Sequence, residues 1–250
     1  MNLEIINYIL LGAIQGIFEW IPVSSEGIVA LASNFLKLNI NPIDIGLFLH
    51  LGTLLSAIIY FRKDWIKIIT FKDKKLLKFL LISTAISLIL GFFIYKFLSA
   101  QVMLGSSLLL ITGLGLLGTA FFHKNKKRLN WDMRKLSIIT GLLQGLSVIP
   151  GLSRSGSTIF GLSLGKFKPE KILKISYLMS VPVGLAGSGY IFLQNPSMSL
   201  QAWPGLVMSF LVGILGLHIL LQIVQKINFA KFAFIFAFLC LAGAMLGFIF

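Results

Sequence analysis

Six stretches of the chain, 42–61, 76–98, 102–122, 172–193, 203–224 and 232–250, run for about twenty residues each with few charges in them. A helix of about 20 apolar residues crosses the hydrocarbon of a bilayer. Inside hydrocarbon every backbone N–H and C=O must be bonded within the protein, so such runs fold as helices. Composition supports lipid as the solvent. The chain is 57% hydrophobic and 12% charged, with a mean hydropathy of +0.93, whereas soluble domains carry about 25% charged residues.

Two further apolar regions, 3–37 and 136–166, are interrupted in the middle, the first by Pro22 and the second by Pro150-Gly151. Each half has roughly 10–14 residues, about 15–20 Å of helix, which is short of the ~30 Å hydrocarbon core. A re-entrant helix–break–helix that leaves by the face it entered fits better than two spans. The fold class is therefore all-α integral membrane: six transmembrane helices plus two re-entrant helical hairpins.

The two interrupted regions are related. Gln15, Gly16, Pro22, Ser24 and Gly27 align with Gln144, Gly145, Pro150, Ser153 and Gly156, given one gap. The chain thus reads as a single membrane domain, 1–250, with repeat one at about 1–125 and repeat two at about 130–250. Each repeat is one hairpin followed by three spans. Three is odd, so the second copy enters the membrane upside down, the inverted-topology plan of many secondary transporters.

A net charge of +14 is a nucleic-acid signal only when the basic residues form a solvated surface. Here they sit in short links, and no nucleic acid is expected. All Lys and Arg except Lys37, Lys96 and Arg154 fall on one side of the six-span arrangement. By the positive-inside rule that side is cytoplasmic, with both termini and the opening of the first hairpin outside. Trp65, Trp131 and Trp203 lie where interfacial anchors belong, while Trp20 lies beside the first break. Glu4 stands where a signal peptide would carry basic residues, so no cleaved leader is expected. The lone Cys240, in an apolar run, is read as packing.

The breaks hold the chemistry. Gln15 and Glu19, four residues apart, share a helix face, and Glu26 follows the break. An intramembrane carboxylate is costly and points to function. Ser24-Ser25 precede an apolar run and suit a helix N-cap, which turns N–H groups and a positive dipole end into the break. In the second region Ser153, Ser155, Ser157 and Thr158 surround Arg154. Helix N-termini and a guanidinium together suit a phosphate. At membrane depth this means a lipid phosphate, either cut by an activated serine or carried across.

The segments Gln15-Gly16-Ile17-Phe18-Glu19, Pro22-Val23-Ser24-Ser25 and Pro150-Gly151-Leu152-Ser153-Arg154-Ser155-Gly156-Ser157-Thr158 resemble the undecaprenyl-diphosphate phosphatase (bacitracin-resistance) family. Its signatures are Glu/Gln-x-x-x-Glu leading into Pro-x-Ser-Ser, and Pro-Gly-x-Ser-Arg-Ser-x-x-Thr. The resemblance implies hydrolysis of a polyprenyl diphosphate to its monophosphate, recycling the carrier lipid for cell-envelope (peptidoglycan) synthesis at the plasma membrane. It implies Ser25 as nucleophile, base or divalent-metal roles for Gln15 and Glu19, and Arg154 as diphosphate clamp, with Ser24, Ser153, Ser155, Thr158 and Gln15 binding substrate. It also implies a divalent cation, Mg²⁺ or Ca²⁺, at Glu19 and Glu26; the sequence has no metal signature of its own. A homodimer is compatible with the sequence.

The chain departs from the family's common Ser-Ser-x-Gly-His at Ile28, where the histidine would stand. Glu19 or Glu26 then supplies the base, or the protein transports polyprenyl phosphate without hydrolysis. His50, in the first uninterrupted span, is read as a packed or hydrogen-bonded residue, with catalytic rescue the lesser alternative. His123 and His218 are read as structural.

Overall fold

The computed structural model describes residues 3–38, 40–98, 110, 113–118, 120–121, 132–149, 152–165, 167–194, 196–226 and 229–249. Ten helices are delimited among them, and no strand occurs among the described residues. They are α1 (Leu3–Phe18), α2 (Ser25–Phe35), α3 (Pro42–Tyr60), α4 (Arg62–Ile69) and α5 (Lys74–Leu98). After these come α6 (Met133–Leu146), α7 (Arg154–Ser163), α8 (Pro169–Gln194), α9 (Pro196–Lys226) and α10 (Phe229–Ile249).

Five of the six expected runs coincide with α3, α5, α8, α9 and α10. The sixth, 102–122, lies mostly outside the described residues. So do Lys124, Lys126, Lys127, Arg128, Trp131, Lys166 and the Pro150-Gly151 break. Most of α5 and the whole of α8 and α9 are long and apolar enough to cross a membrane, and α3 and α4 form a pair bent by 78°. Outward-facing side chains such as Leu81, Ile89, Phe92, Leu211, Leu215 and Phe238 are exposed. Only 28% of the apolar window of α5, and of that of α9, is buried inside the protein. An apolar surface of that extent belongs against lipid tails.

The link 62–75 between two of the apolar runs contains helix α4. Its spacing explains this. Ile68 is buried and Trp65 packs on the core, Ile66 and Ile69 are exposed on a second side, and Lys63 and Lys67 on a third. Asp64 bonds Lys174 of α8 at 2.9 Å, which ties the link to the bundle.

The interrupted regions pack through glycine. A Cβ at Gly12 of α1 would overlap the carbonyl oxygen of Gly205 in α9, and one at Gly16 would lie 2.8 Å from the nitrogen of Gly213. A Cβ at Gly141 of α6 would lie 2.9 Å from the Ser83 carbonyl oxygen in α5, and one at Gly145 2.9 Å from Leu90 Cβ. Small residues let helix backbones approach where lipid supplies no hydrophobic drive. Gly12 and Gly16 precede the first break as Gly141 and Gly145 precede the second, so each glycine pair seats its broken helix against a long one.

Candidate active site

Helix α1 ends at Phe18, and Pro22 keeps it from resuming. The helix after the break starts at Ser25, with Ser24 as its cap: Gly27 N donates to Ser24 Oγ at 3.2 Å. The second region does the same, Gly156 N donating to Ser153 Oγ at 3.1 Å ahead of α7. Aligned serines thus start both post-break helices, whose positive N-terminal ends face the breaks.

The carbonyls freed at the first break are bonded from elsewhere. Tyr177 OH donates to Trp20 O at 2.8 Å, Ser155 Oγ to Ile21 O at 3.0 Å, and the Cys240 thiol to Pro22 O at 3.7 Å. Trp20 Nε1 donates to Gly213 O at 2.7 Å. Irregular backbone at membrane depth requires such partners. Here α7, α8 and α10 each supply one, while α9 accepts from the Trp20 side chain.

Glu19, 4% exposed, is the residue on which the two regions converge. Its Oε2 accepts from Gln15 Nε2 at 2.7 Å and from Ser25 Oγ at 3.0 Å, and lies 3.0 Å from His50 Nδ1. Its Oε1 is paired with Arg154 Nη2. An ionised carboxylate only accepts hydrogen bonds, and three donors on one carboxylate, from Gln15, Ser25 and Arg154, fit the ionised form. Arg154 is the first residue of α7. Its other terminal nitrogen, Nη1, is buried with no hydrogen-bond partner among the described residues.

One cleft is lined by Glu19, Ser24, Ser25, Glu26, Ser153, Arg154 and Ser155, together with His50, Ser147, Val23 and Leu152. Seven expected site residues therefore meet. Gln15 and Thr158 do not line it. Gln15 is fully buried behind Glu19 and orients that carboxylate. Thr158 returns its hydroxyl to Arg154 O at 2.9 Å, as mid-helix threonines do, and contacts Ser176 Oγ at 2.6 Å. Both stand one layer back from the cleft. Glu26 lines the cleft, but the Ser25 hydroxyl points at Glu19.

Two residues outside the sequence-based site enter it. His50 touches Glu19, and its only signal was a histidine within an apolar span. Tyr177 fixes the break backbone and stacks edge-on against Trp20, ring centroids 5.1 Å apart; a tyrosine in a span gives no such signal.

The donor set does not fit a resident divalent cation. Both Glu19 oxygens are engaged by N–H and O–H donors, Oε2 by Gln15 and Ser25 and Oε1 by Arg154. Among the described residues no group of three or more His, Cys, Asp or Glu is placed to hold a metal.

The family model described as bacitracin resistance protein BacA matches residues 8–243. Curated relatives named undecaprenyl-diphosphatase include one from Methanococcoides burtonii, 32% identical over 92% of this chain and 94% of the relative. Another, from Methanococcus vannielii, is 36% identical over 86% of this chain and 90% of its own. A third, from Sulfurisphaera tokodaii, is 32% identical over 90% and 92%. With the family model spanning nearly the whole chain and relatives of this identity along its length, the protein belongs to the bacitracin resistance protein BacA family.

Proposed function

We propose that the protein hydrolyses undecaprenyl diphosphate, or a closely similar polyprenyl diphosphate, to the monophosphate and inorganic phosphate. The observation that carries this is the meeting of a serine hydroxyl and an arginine on one buried carboxylate. The name of the curated relatives supports the substrate.

In this reaction Arg154 turns from Glu19 to the diphosphate, offering the phosphoryl oxygens the free Nη1 as well as Nη2. The positive N-terminal ends of α2 and α7 also favour the anion. Ser25 Oγ attacks the terminal phosphorus while Glu19 Oε2 takes its proton, general-base chemistry at the 3.0 Å reach that already exists. The bond to the bridging oxygen breaks, and polyprenyl monophosphate leaves. Glu19 passes the proton to the oxygen of the departing monophosphate and is a base again. Water then attacks the phosphoserine, Glu19 taking its proton and returning it to Ser25 Oγ as the serine–phosphorus bond breaks and phosphate leaves. Arg154 stabilises the charge that builds on the equatorial oxygens in both steps. A cavity of about 460 Å³ between the first break and α9–α10, lined by Trp20, Ile21, Leu215, Ile219 and Phe236 among others, is almost wholly apolar and suits a prenyl tail.

The arrangement we favour around this site is six spans and two re-entrant hairpins in one domain, as inverted repeats of about 1–125 and 130–250. Packing supports it. Helix α1 of the first half lies along α9 of the second, and α6 of the second lies along α5 of the first. That is the exchange an inverted pair related by a two-fold axis requires. The glycine contacts of α1 and α6 match in the same way. The basic ends face the cytoplasm, and the site opens outward at the plasma membrane, where spent carrier lipid is recycled for envelope synthesis.

The same exchange symmetry favours a second function, transport of polyprenyl phosphate. The deciding experiment is phosphate release by purified, reconstituted protein from undecaprenyl diphosphate, measured beside binding of the lipid. Turnover establishes the phosphatase. Binding without release leaves the transporter.

A further inference from the structure

His50 is 5% exposed and sits within α3, whose other residues, apart from Asp44 in the first turn, are apolar, glycine or hydroxyl-bearing. Its Nδ1 lies 3.0 Å from Glu19 Oε2 and 3.3 Å from Thr53 Oγ1. The hydrogens can be assigned from the partners. Thr53 gives its hydroxyl hydrogen to the carbonyl of His50 at 2.8 Å, so towards the ring it can only accept. Glu19, held by Arg154 and Gln15, is ionised and also only accepts. Gln15 Nε2, 3.4 Å from Nδ1, has its closer acceptor in Glu19 Oε2 at 2.7 Å. Nδ1 therefore carries hydrogen and donates to Glu19, with Thr53 Oγ1 the weaker second acceptor. The opposite nitrogen, Nε2, faces Gly184 of α8, where a Cβ would come within 2.8 Å. Only a residue without a side chain leaves the ring its seat there.

Ser25 Oγ and His50 Nδ1 thus donate to the same oxygen of Glu19. The serine hydroxyl must find that oxygen at hydrogen-bond distance at the moment of attack. When Arg154 leaves Glu19 for the diphosphate, the carboxylate loses its strongest tether and becomes free to turn about its last bond. Gln15 and His50 then remain to hold Oε2 on Ser25. Gln15 lies on Glu19's own helix turn, whereas His50 comes from α3 and fixes the carboxylate relative to the bundle.

We infer that His50 is a positioning residue for the Glu19 base: its Nδ1–H holds Oε2 in line with Ser25 after Arg154 has moved to substrate. The inference rests on the phosphatase reading.

The test compares His50→Leu, which fills the space without a donor, with His50→Gln, which keeps an N–H donor. Phosphate release from undecaprenyl diphosphate is measured for both and for the unaltered protein. His50→Leu is expected to lower kcat about 100-fold with KM unchanged, the scale of a misplaced reacting group, and His50→Gln to restore most of it. Melting temperatures check that both variants are folded. Thr53→Val, which removes the acceptor that steadies the ring, is expected to lower kcat less and serves if His50→Leu does not fold. A packing role predicts the reverse order, leucine being better suited than glutamine to an apolar span. Equal activity of the two variants, or loss confined to KM, overturns the inference while the unaltered enzyme still turns over. An unaltered protein that releases no phosphate overturns the phosphatase reading itself, and this inference with it.

Discussion

Arg154 and Glu19, 135 positions apart in the chain, form an ion pair inside the bundle. Each comes from one of the two broken regions, so neither region is a site by itself. The carboxylate is almost wholly buried and the guanidinium partly so. A buried pair of this kind is a weak source of net stability, but removing one member strands the other, which typically costs about 3–5 kcal/mol.

Arg154→Ala should therefore do two separable things. It should lower kcat/KM by on the order of 10²–10³, the loss typical of a transition-state donor. It should also lower the melting temperature, because Glu19 is left charged and unpaired. Adding Glu19→Gln to Arg154→Ala should recover the stability and none of the activity. Recovery of activity in the double variant would remove Arg154 from the clamp.

Among the described residues Ser25 makes one side-chain hydrogen bond, to Glu19, and Ser24, not Ser25, caps α2. Ser25→Ala should abolish phosphate release, retain lipid binding, and change stability by about 1 kcal/mol, the net worth of one hydrogen bond. A phosphoserine trapped by rapid quenching in the unaltered enzyme and absent from the variant would identify the intermediate directly. Full turnover in Ser25→Ala would move the attack to Ser24 or to water.

Much of the site was legible before the structure because membrane sequences make polar residues conspicuous. Glu19, Ser25 and Arg154 stood out as polar groups at breaks in apolar runs, and the opposite charges of two related breaks implied that they meet. The serine caps followed from their place before an apolar run. What escaped was pairing across distant helices. His50 is 31 positions from Glu19 on an otherwise apolar span, and no periodicity distinguishes a ligating histidine there from a packed one. Tyr177 and Cys240 look like ordinary span residues until the bare carbonyls of Trp20 and Pro22 are seen to need donors. Thr158 misled for the opposite reason. It belongs to the motif, yet its hydroxyl returns to its own helix.

The two carboxylates beside Ser25 were equivalent in sequence and are not equivalent in space. Glu19 accepts the serine hydroxyl, whereas Glu26 lines the cleft with no hydrogen bond among the described residues. Glu19→Gln should lower kcat by about 10³, within the usual range for losing a general base. Glu26→Gln should stay within about tenfold of the unaltered enzyme, since a side chain at the cleft wall contributes binding but not proton transfer. The pair of kcat values decides between the bases. The opposite ordering would make Glu26 the base.

The close approach of α1 to α9 should be as important to catalysis as any polar group, because Glu19 follows directly from the end of α1. Gly12→Ala would place a methyl against the backbone of Gly205. That clash cannot be relieved by a rotamer change, so the helices must separate, at a typical overpacking cost of about 1–3 kcal/mol. Separation shifts Glu19 relative to Arg154 and Ser25, and misplacement of about 1 Å lowers rate by about 10²-fold. Gly187→Ala in α8 is the matched control, since a Cβ there meets nothing within 4 Å. The expected result is a lowered melting temperature and kcat for Gly12→Ala, with both near unaltered values for Gly187→Ala. A drop in stability without a drop in kcat would show that the site is held by its hydrogen bonds alone, independent of how closely α1 lies against α9.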